Sequence, residues 1–364
     1  MAIELPPGVK KVRLLDAAGA DVPCQVADGR LWWVLDNLPA GKARTYAAEF
    51  GTASPGGAGG VTLDKSRSKI EIAIGARPFA TYHFTRKLAW GAPLHRPCFF
   101  PVFAPGQVQI MRPYPLVRHP PEGTSTDHPH HTGLYVAHGQ VSNIDNWSVG
   151  RRAGRQIHRR FELAGGGPVM GIFREVLDWT ASDRTPVLAE TRTVRVYRLG
   201  GGLRMMDLEV HFQAKYGKVT FGDTKEGGLC ATRMRDEMRA DQGGRLVNSE
   251  GRSGTHAWGK RATFICCCGR LDGKEVGYAI FDTPGNLRYP TYWHARTYGL
   301  VTANPFGIRH FDPKSGRNGT WVLADGKERT FRYRVCFFCG TPKTVGIAQR
   351  CQDYADPPKA AWKK

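Results

Sequence analysis

The chain has 364 residues, of which 41% are hydrophobic and 23% charged, so it can bury a large core and lacks the composition of a disordered protein. Its 52 Lys and Arg residues outnumber 32 Asp and Glu residues, and the net charge of +20 favours an anionic partner without selecting one class of anion. The longest apolar stretch, residues 96–112, is interrupted by Pro97, Pro101, Pro105 and Gly106, which excludes a membrane-spanning helix there.

The N-terminal residues and the basic residues give expectations about location and partners. The start, MAIELPPGVKK, lacks the apolar core and cleavage site of a secretory signal. We therefore expect a cytoplasmic protein if the sequence is full length, and a periplasmic or secreted one if a signal peptide was trimmed. The basic residues match no nucleic-acid-binding motif, so we expect neither nucleic acid nor a membrane as partner. The oligomeric state stays open.

The N-terminal part of the chain reads as a separate unit. Residues 1–50 hold short β-prone runs separated by Gly, Asp and Asn turns, which predict a small N-terminal β unit. The stretch GTASPGGAGG that follows, residues 51–60, has the composition of a flexible linker. We expect the main domain to cover residues 61–345 and a C-terminal tail to cover residues 346–364.

The main domain contains many short, turn-bounded runs rich in β-branched and aromatic residues, such as KIEIAIG, TRTVRVYRL and RTFRYRVCFFCG. In LRMMDLEVHFQA, residues 203–214, apolar and polar residues alternate, as in a strand with one buried face. The repeated strand and helix alternation of a parallel sheet is missing. The sequence therefore predicts an all-β fold: a large antiparallel β-sandwich preceded by the small N-terminal unit.

The nine cysteines do not form a disulfide pattern. Their number is odd, and three are adjacent at Cys266–Cys268. The spacing of CFFC, Cys336–Cys339, occurs in redox motifs, but here it falls inside a strand-like run. We expect buried, reduced thiols.

Histidines are concentrated in TDHPHHTGLYVAHG, residues 126–139. In an extended chain His128, His130 and His138 would share one face and His131 the other. Three imidazoles on one face suit a transition metal such as zinc, copper, iron or nickel, with Asp127 to orient one of them. A neutral imidazole is equally suited to acid–base chemistry near pH 7. The remaining interpretation is a solvated, turn-forming loop.

A second candidate segment is FGDTKEGGL, residues 221–229. It places Lys225 and Glu226 on a tight Gly-Gly turn between two structured runs, where binding and catalytic groups usually lie. A carboxylate beside a lysine can exchange protons or bind sugar hydroxyls. The same composition also occurs in ordinary hairpins.

A third candidate segment is YPTYWHARTYGLVTANPFG, residues 289–307. The segment places aromatic faces beside an imidazole and a guanidinium, a combination that suits sugar rings and their hydroxyl groups. The residues are Tyr289, Tyr292, Trp293, His294, Arg296 and Tyr298. The alternative is an aromatic-rich core strand with Arg296 at its edge.

Together with RPYPLVRHPPEGTSTDHPHHTGLYVAHGQVSNIDNW and NSEGRSGTHAWGKRA, these segments resemble the PmoA-like family of uncharacterised bacterial proteins, named after a methane oxygenase subunit. The resemblance runs from about Val12 to about Gly340. SNIDNW and the ending VCFFCG depart from the pattern of the family. Methane oxygenase subunits are membrane-embedded, so the family name does not describe this chain. The resemblance implies a β-sandwich distantly similar to galactose-mutarotase-type folds, and carbohydrate chemistry.

The resemblance also implies roles for the candidate residues, since mutarotase-like sites pair a histidine acid with a carboxylate or a second base. In this interpretation His131 or His138 donates a proton, Glu226 is the base, and His294 with Arg296 binds and polarises a substrate oxygen. The substrate-binding candidates are Asp127, Lys225, Tyr292, Trp293, Arg296 and Asn304, with Tyr292 and Trp293 stacking on the sugar ring.

Three functional hypotheses follow. The first is a carbohydrate-active enzyme, a lyase, hydrolase or epimerase, that acts on a sugar or keto-sugar by His/Glu acid–base chemistry, with a substrate that is neutral or anionic. The second is a non-catalytic module that binds carbohydrate or another polyanion through its aromatic and basic residues. The third is a metalloenzyme with a divalent transition metal on His128, His130 and His138. Apart from such a metal, no cofactor is expected.

Overall fold

The computed structural model describes residues 1–54 and 59–363, so part of the predicted linker, residues 55–58, lies outside the described residues. The N-terminal 50 residues form two three-stranded antiparallel sheets, ordered β1-β5-β4 and β3-β2-β6. Their strands are β1 (Ala2–Glu4), β2 (Val12–Leu15), β3 (Asp21–Val22), β4 (Cys24–Ala27), β5 (Arg30–Trp33) and β6 (Ala47–Phe50). These two sheets share a small apolar core of their own.

The rest of the chain is also built mainly from strands. The first group is β7 (Val61–Lys65), β8 (Lys69–Ile74), β9 (Arg77–His83), β10 (Cys98–Ala104), β11 (Val108–Gln109), β12 (Leu134–His138) and β13 (Arg155–Gly165). The second is β14 (Met170–Thr180), β15 (Pro186–Tyr197), β16 (Leu203–Gln213), β17 (Val219–Phe221), β18 (Gly227–Arg233), β19 (Arg245–Asn248) and β20 (Lys260–Arg261). The last is β21 (Phe264–Leu271), β22 (Lys274–Phe281), β23 (Tyr292–Ala295), β24 (Leu300–Ala303), β25 (Trp321–Leu323) and β26 (Glu328–Cys339).

These strands form two large sheets. Sheet I has ten strands in the order β20-β23-β24-β18-β12-β10-β9-β8-β7, with β11 paired to β10. Sheet II has eight strands in the order β13-β14-β15-β16-β26-β22-β21-β19. A separate pair is formed by β17 and β25. The paired strands are antiparallel throughout, and the predicted all-β antiparallel sandwich is confirmed.

The sandwich core lies between sheets I and II. Phe79 of sheet I meets Phe337 of sheet II edge-on, with ring centroids 5.7 Å apart, and Tyr82 meets Phe173 at 4.8 Å. The alternation predicted for residues 203–214 is confirmed, because along β16 fully buried apolar residues alternate with half-buried polar ones. Each fully buried aromatic side chain contributes roughly 2–3 kcal/mol of transfer free energy.

Short helices lie at the edges of the sandwich: α1 (Ile308–Phe311), α2 (Ile347–Ala355), and 3-10 turns at Asp236–Met238, Ala240–Gln242, Gly254–Ala257 and Pro313–Ser315. Within the predicted tail, α2 packs on sheet II through Ile347 and Cys351. None of the helices in residues 1–54 and 59–363 has the length and apolar character needed to cross a membrane. All nine cysteines are free, and eight of them are buried while Cys339 is partly exposed.

Candidate functional site

A cleft of about 450 Å³ brings the three predicted segments together. Its walls also include two residues of the loop that follows β12. The lining residues are His128, His130, Trp147, Ser148, Lys225, Glu226, His294, Arg296 and Tyr298. Clefts of this volume typically hold a small molecule.

The segments meet because β12, β18, β24 and β23 are consecutive neighbours in sheet I. The pairing of Leu134 with Thr232 and of Arg233 with Leu300 puts the loop before β12 and the turn before β24 at the same end of these strands. The loop before β18 lies at the other end, where Gly227 pairs with His138. Since the strands are only four to seven residues long, both ends border one cleft.

The strand register decides which side chains face the cleft. His294 lies in one row with Thr302 and, across β18, with Tyr135, and directly opposed residues share a face of the sheet. Trp293 points the other way, is fully buried, and donates its Nε1 hydrogen to the carbonyl of Ala262 at 2.9 Å. The predicted stacking of Trp293 on a sugar ring therefore has no exposed surface on which to occur.

His294 is fixed as a neutral hydrogen-bond acceptor. Its Nδ1 lies 2.7 Å from the carbonyl oxygen of Lys225, and because a carbonyl can only accept, Nδ1 carries the hydrogen and Nε2 keeps a free lone pair. The side chain is 2% exposed, and burial lowers its pKa to about 4. At pH 7 the imidazole is therefore uncharged and suited to accepting a hydrogen bond.

Glu226 is the accessible carboxylate of the cleft. Its side chain is 43% exposed, and its Oε1 lies 3.6 Å from Nζ of Lys225. The backbone beneath it is anchored, since Gly139 donates to the Glu226 carbonyl at 2.7 Å and the Asn304 amide donates to Lys225 at 3.2 Å. Asn304 is itself fully buried, so it holds this loop from behind instead of contacting a ligand as predicted.

Residues 126–131, here called the histidine loop, rest on two fully buried arginines. Arg112 and Arg233 both donate to the same oxygen of Asp127, the latter at 2.8 Å. The other oxygen of Asp127 lies 2.8 Å from Nδ1 of His128. Burial acts to raise the Asp127 pKa, but Arg233, His128 and Arg112 outweigh it and lower the pKa. Asp127 is thus an ionised orienting group for His128.

The backbone of His128 is strained. Its φ of +46° lies in the left-handed region, which costs a residue with a side chain about 1–2 kcal/mol. Arg112 donates to the His128 carbonyl at 3.0 Å, and the His131 amide donates to the same carbonyl at 3.0 Å. These contacts hold His128 at the cleft wall in one conformation.

His130 and His131 are uncharged imidazoles next to each other, with ring centroids 4.3 Å apart. Burial, followed by the nearby Arg96, lowers the pKa of His130 to about 4. His131 is 1% exposed, and burial, His130 and Arg233 together lower its pKa much further. The predicted role of His131 as proton donor therefore lacks the proton, because the charged form is strongly disfavoured.

Tyr298 supplies the aromatic face that the sequence-based prediction assigned to its neighbours. Its ring is nearly parallel to that of His128, at 5.2 Å and 10°, and the guanidinium groups of Arg233 and Arg296 lie 4.8 and 5.4 Å from its centroid. Tyr292, the other predicted stacking residue, is 5% exposed and packs on Phe311. Tyr298 is thus one of the aromatic residues of the third segment, whereas sequence reasoning did not select Trp147 or the two buried arginines.

Comparison with known proteins shows the family to which the chain belongs. The model of a family of unknown function, DUF6807, matches residues 69–352, which is most of the chain. The chain belongs to this family. The resemblance of this DUF6807 protein to the PmoA-like family stays a prediction. A search of curated proteins gave no significant match.

Solved structures similar to the DUF6807 protein include a galactose mutarotase-like protein from Clostridium acetobutylicum, 8% identical with a TM-score of 0.37, over 77% of this chain and 98% of that one. Another is a protein in the glycosyl hydrolase family 38 from Enterococcus faecalis, 8% identical with a TM-score of 0.41, over 98% of this chain. The DUF6807 chain spans 42% of the length of that second protein.

His138 of the DUF6807 protein lies apart from the cleft. It is fully buried, its Nε2 donates to the Gly222 carbonyl at 2.9 Å, and its ring packs on Phe306 at 4.9 Å. Burial lowers its pKa to about 4, so it is neutral at pH 7 and lacks the proton that the predicted donor role requires.

The metal ligand set predicted for the DUF6807 protein is not assembled. His128 and His130 line the cleft with ring centroids 5.6 Å apart, while His138 is in the core. In the part of the chain that the structure describes, no group of three or more His, Cys, Asp or Glu side chains is placed to hold a metal ion. A divalent metal therefore stays a sequence-based prediction, without an assembled site in this arrangement.

Proposed function

We propose that this protein is a carbohydrate-active enzyme that transfers a proton on a sugar or keto-sugar, as an epimerase or a lyase does. The observation that carries the proposal is the meeting of three groups in one small cleft: the carboxylate of Glu226, the uncharged imidazole of His294 and the ring face of Tyr298. An aromatic face beside directional hydrogen-bonding groups is the combination that a sugar ring and its hydroxyls require.

Each cleft residue has a role in this proposal. Glu226 removes the proton, since it is the exposed carboxylate. The Nε2 atom of His294 accepts a hydrogen bond from a substrate hydroxyl and thereby orients the ring. His128, whose Nδ1 lies 2.8 Å from Asp127, is the imidazole of the cleft placed to return a proton. The partly exposed ring of Tyr298 lines the cleft beside the sugar ring.

The carboxylate content of the cleft favours proton transfer over hydrolysis. Among the described residues that line the cleft, Glu226 is the single carboxylate. Most glycoside hydrolases require two carboxyl groups about 5–9.5 Å apart, one as acid and one as nucleophile or base. A carboxylate paired with imidazoles instead matches the general acid–base chemistry of epimerisation, mutarotation or elimination.

The test is proton NMR of a sugar and keto-sugar panel incubated with the protein in D₂O, which reports interconversion, deuterium uptake at carbon and new double bonds. Glu226→Gln should lower the rate about 10²–10⁴-fold, the usual contribution of a positioned general base. His294→Asn keeps a donor for the Lys225 carbonyl and removes Nε2, so it should weaken turnover with the fold intact. Glu71→Gln is the matched control, since Glu71 lies 2.9 Å from Lys69, outside the cleft.

Two results would count against the proposal. Equal rates in the wild-type protein and in Glu226→Gln would show that Glu226 is not the general base. Saturable sugar binding without any chemical change across the panel would favour a non-catalytic binding module instead.

A further inference from the structure

Arg296 differs from the other charged groups of the cleft because its side chain has no partner. It lines the cleft, directly after β23, and its guanidinium lies 5.4 Å from the centre of the Tyr298 ring. Within residues 1–54 and 59–363 it makes no side-chain hydrogen bond and no ion pair. Its backbone, in contrast, is fixed, because Arg296 donates to the Leu300 carbonyl at 2.8 Å and accepts from Gly299 at 3.0 Å.

The other guanidinium groups around the cleft are committed to the protein. Arg96 donates to the carbonyl oxygens of residues 130, 146, 147 and 148, at 2.7, 3.2, 2.5 and 3.1 Å respectively. Arg112 and Arg233 donate to Asp127 and to Ser125. Lys225 has Glu226 at 3.6 Å. Arg296 is therefore the guanidinium group that lines the cleft and makes no side-chain hydrogen bond to the described residues.

Arg296 is the cation of this wall that has no carboxylate partner among the described residues. The nearby Arg112 and Arg233 lie buried behind the histidine loop, share Asp127 between them, and are also neighbours of the carboxylate of Asp236. In a partly desolvated cleft the unpaired charge of Arg296 acts more strongly than it would in water. An anionic ligand is favoured at this wall.

We infer that the sugar carries a carboxylate group and that Arg296 binds it; the inference rests on the proposed function and narrows its substrate to a uronic acid. The planar guanidinium fork matches a carboxylate with two parallel N–H···O bonds, and a charge-assisted pair of this kind is among the stronger polar contacts in proteins. Tyr298, beneath the guanidinium, keeps the fork in place while the sugar ring lies beside it.

The test is calorimetric titration of the full chain with galacturonate, glucuronate, galactose and glucose at low ionic strength. The uronates should bind at least about 10-fold more tightly than the matching neutral sugars, because hydrogen bonds to charged groups contribute about 1.5–3 kcal/mol. Arg296→Gln should reduce that preference to within about 2-fold, and Arg296→Lys should keep part of it, since lysine retains the charge without the fork.

Arg270→Gln is the control, because Arg270 is an exposed arginine outside the cleft whose side chain bonds the Gly273 carbonyl at 3.3 Å. It should leave the preference unchanged. Equal affinity for uronates and neutral sugars would overturn the inference and leave the proposed function standing. Tighter binding of a hexose 6-phosphate than of a uronate would also overturn the inference. A preference for uronates that persists in Arg296→Gln would overturn it as well. If neither kind of sugar binds, the inference and the proposed function both fail.

Discussion

Two buried groups of charges in this molecule differ in how the charge is balanced. In the sandwich core, Arg192 donates to both oxygens of Glu190, at 2.6 and 3.0 Å, and to the hydroxyl of Tyr82 at 3.1 Å. Tyr82 in turn donates to Glu175, whose other oxygen lies 2.7 Å from His158. Burial opposes the charge of Arg192, but Glu190, Tyr82 and Glu175 outweigh burial and raise its pKa. The charged side chains of this group are therefore bonded to one another within the core.

Beneath the cleft the balance is reversed. Burial, followed by the neighbouring Arg112, lowers the pKa of Arg233 to about 10, and burial also lowers the pKa of Arg112. Both arginines remain charged at pH 7, although burial outweighs the effect of Asp127 and Asp236 on their pKa values. The comparison teaches that similar buried arginines serve two ends: one is bonded within the core and stabilises it, and the other pair supports the wall of an accessible cleft.

The largest expected effect comes from breaking the group of charges in the core. Arg192→Met leaves Glu190 and Glu175 buried without their cation, which should lower the free energy of unfolding by about 3–5 kcal/mol. Urea denaturation followed by tryptophan fluorescence measures this. Arg160→Met, which breaks the exposed pair with Glu162, should change the same quantity by less than about 1 kcal/mol. Similar losses in both variants would mean that the core group contributes no special stability.

Removing the shared carboxylate beneath the cleft should have a smaller effect. Asp127→Asn removes the charged acceptor that Arg112 and Arg233 share and leaves Asp236 as their neighbouring anion, so we expect the free energy of unfolding to fall by about 2 kcal/mol. Adding Arg233→Met to Asp127→Asn should restore part of the loss, because one of two like charges disappears. Additive losses in this double-mutant cycle would show that the two arginines do not repel each other in the folded protein.

The smallest expected effect is a local opening in acid. Because the pKa of His130 is lowered to about 4 and an exposed histidine has a pKa near 6.5, the closed loop binds fewer protons than the open one between these values. The closed state should therefore lose stability as the pH falls from about 6.5 to about 4, by about 2 kcal/mol at pH 5.

Hydrogen exchange of the His131 amide, which donates to the His128 carbonyl, reports that opening. We expect its protection factor to fall about 20-fold from pH 7 to pH 5, while the amides of β14 and β15 stay protected. His130→Asn should flatten the pH dependence at His131. An unchanged protection factor across this range would contradict a neutral, desolvated His130.

The sequence predicted the fold and the three segments of the cleft because both depend on local patterns. Alternation along β16 is visible in the letters, and so is the concentration of histidines before β12. Grouping His128, His130 and His138 on one face was wrong because the phase of the chain is interrupted twice. His128 has a φ of +46°, and the pairing of β12 with β18 shifts between Tyr135 and Ala137.

Other features of the site had weaker signals or none. Strand alternation over β23 would have placed Trp293 opposite to His294, and so turned attention to Tyr298 as the aromatic face. Arg112 and Arg233 carry no local signal, since their common partner Asp127 comes from a separate segment and only folding brings the three together. Burial sets the neutral state of His294, and burial is a property of the assembled sheet.

The cleft walls are held mainly by hydrogen bonds from arginines to backbone carbonyl oxygens. Arg96 reaches the main-chain oxygens of His130, Trp147 and Ser148, and Arg112 reaches that of His128. Every residue type has this backbone oxygen. A substitution at one of these positions therefore changes the side chain that meets the ligand and keeps the hydrogen bond to the arginine. Single substitutions can thus change the specificity of the cleft while these hydrogen bonds keep its backbone in place.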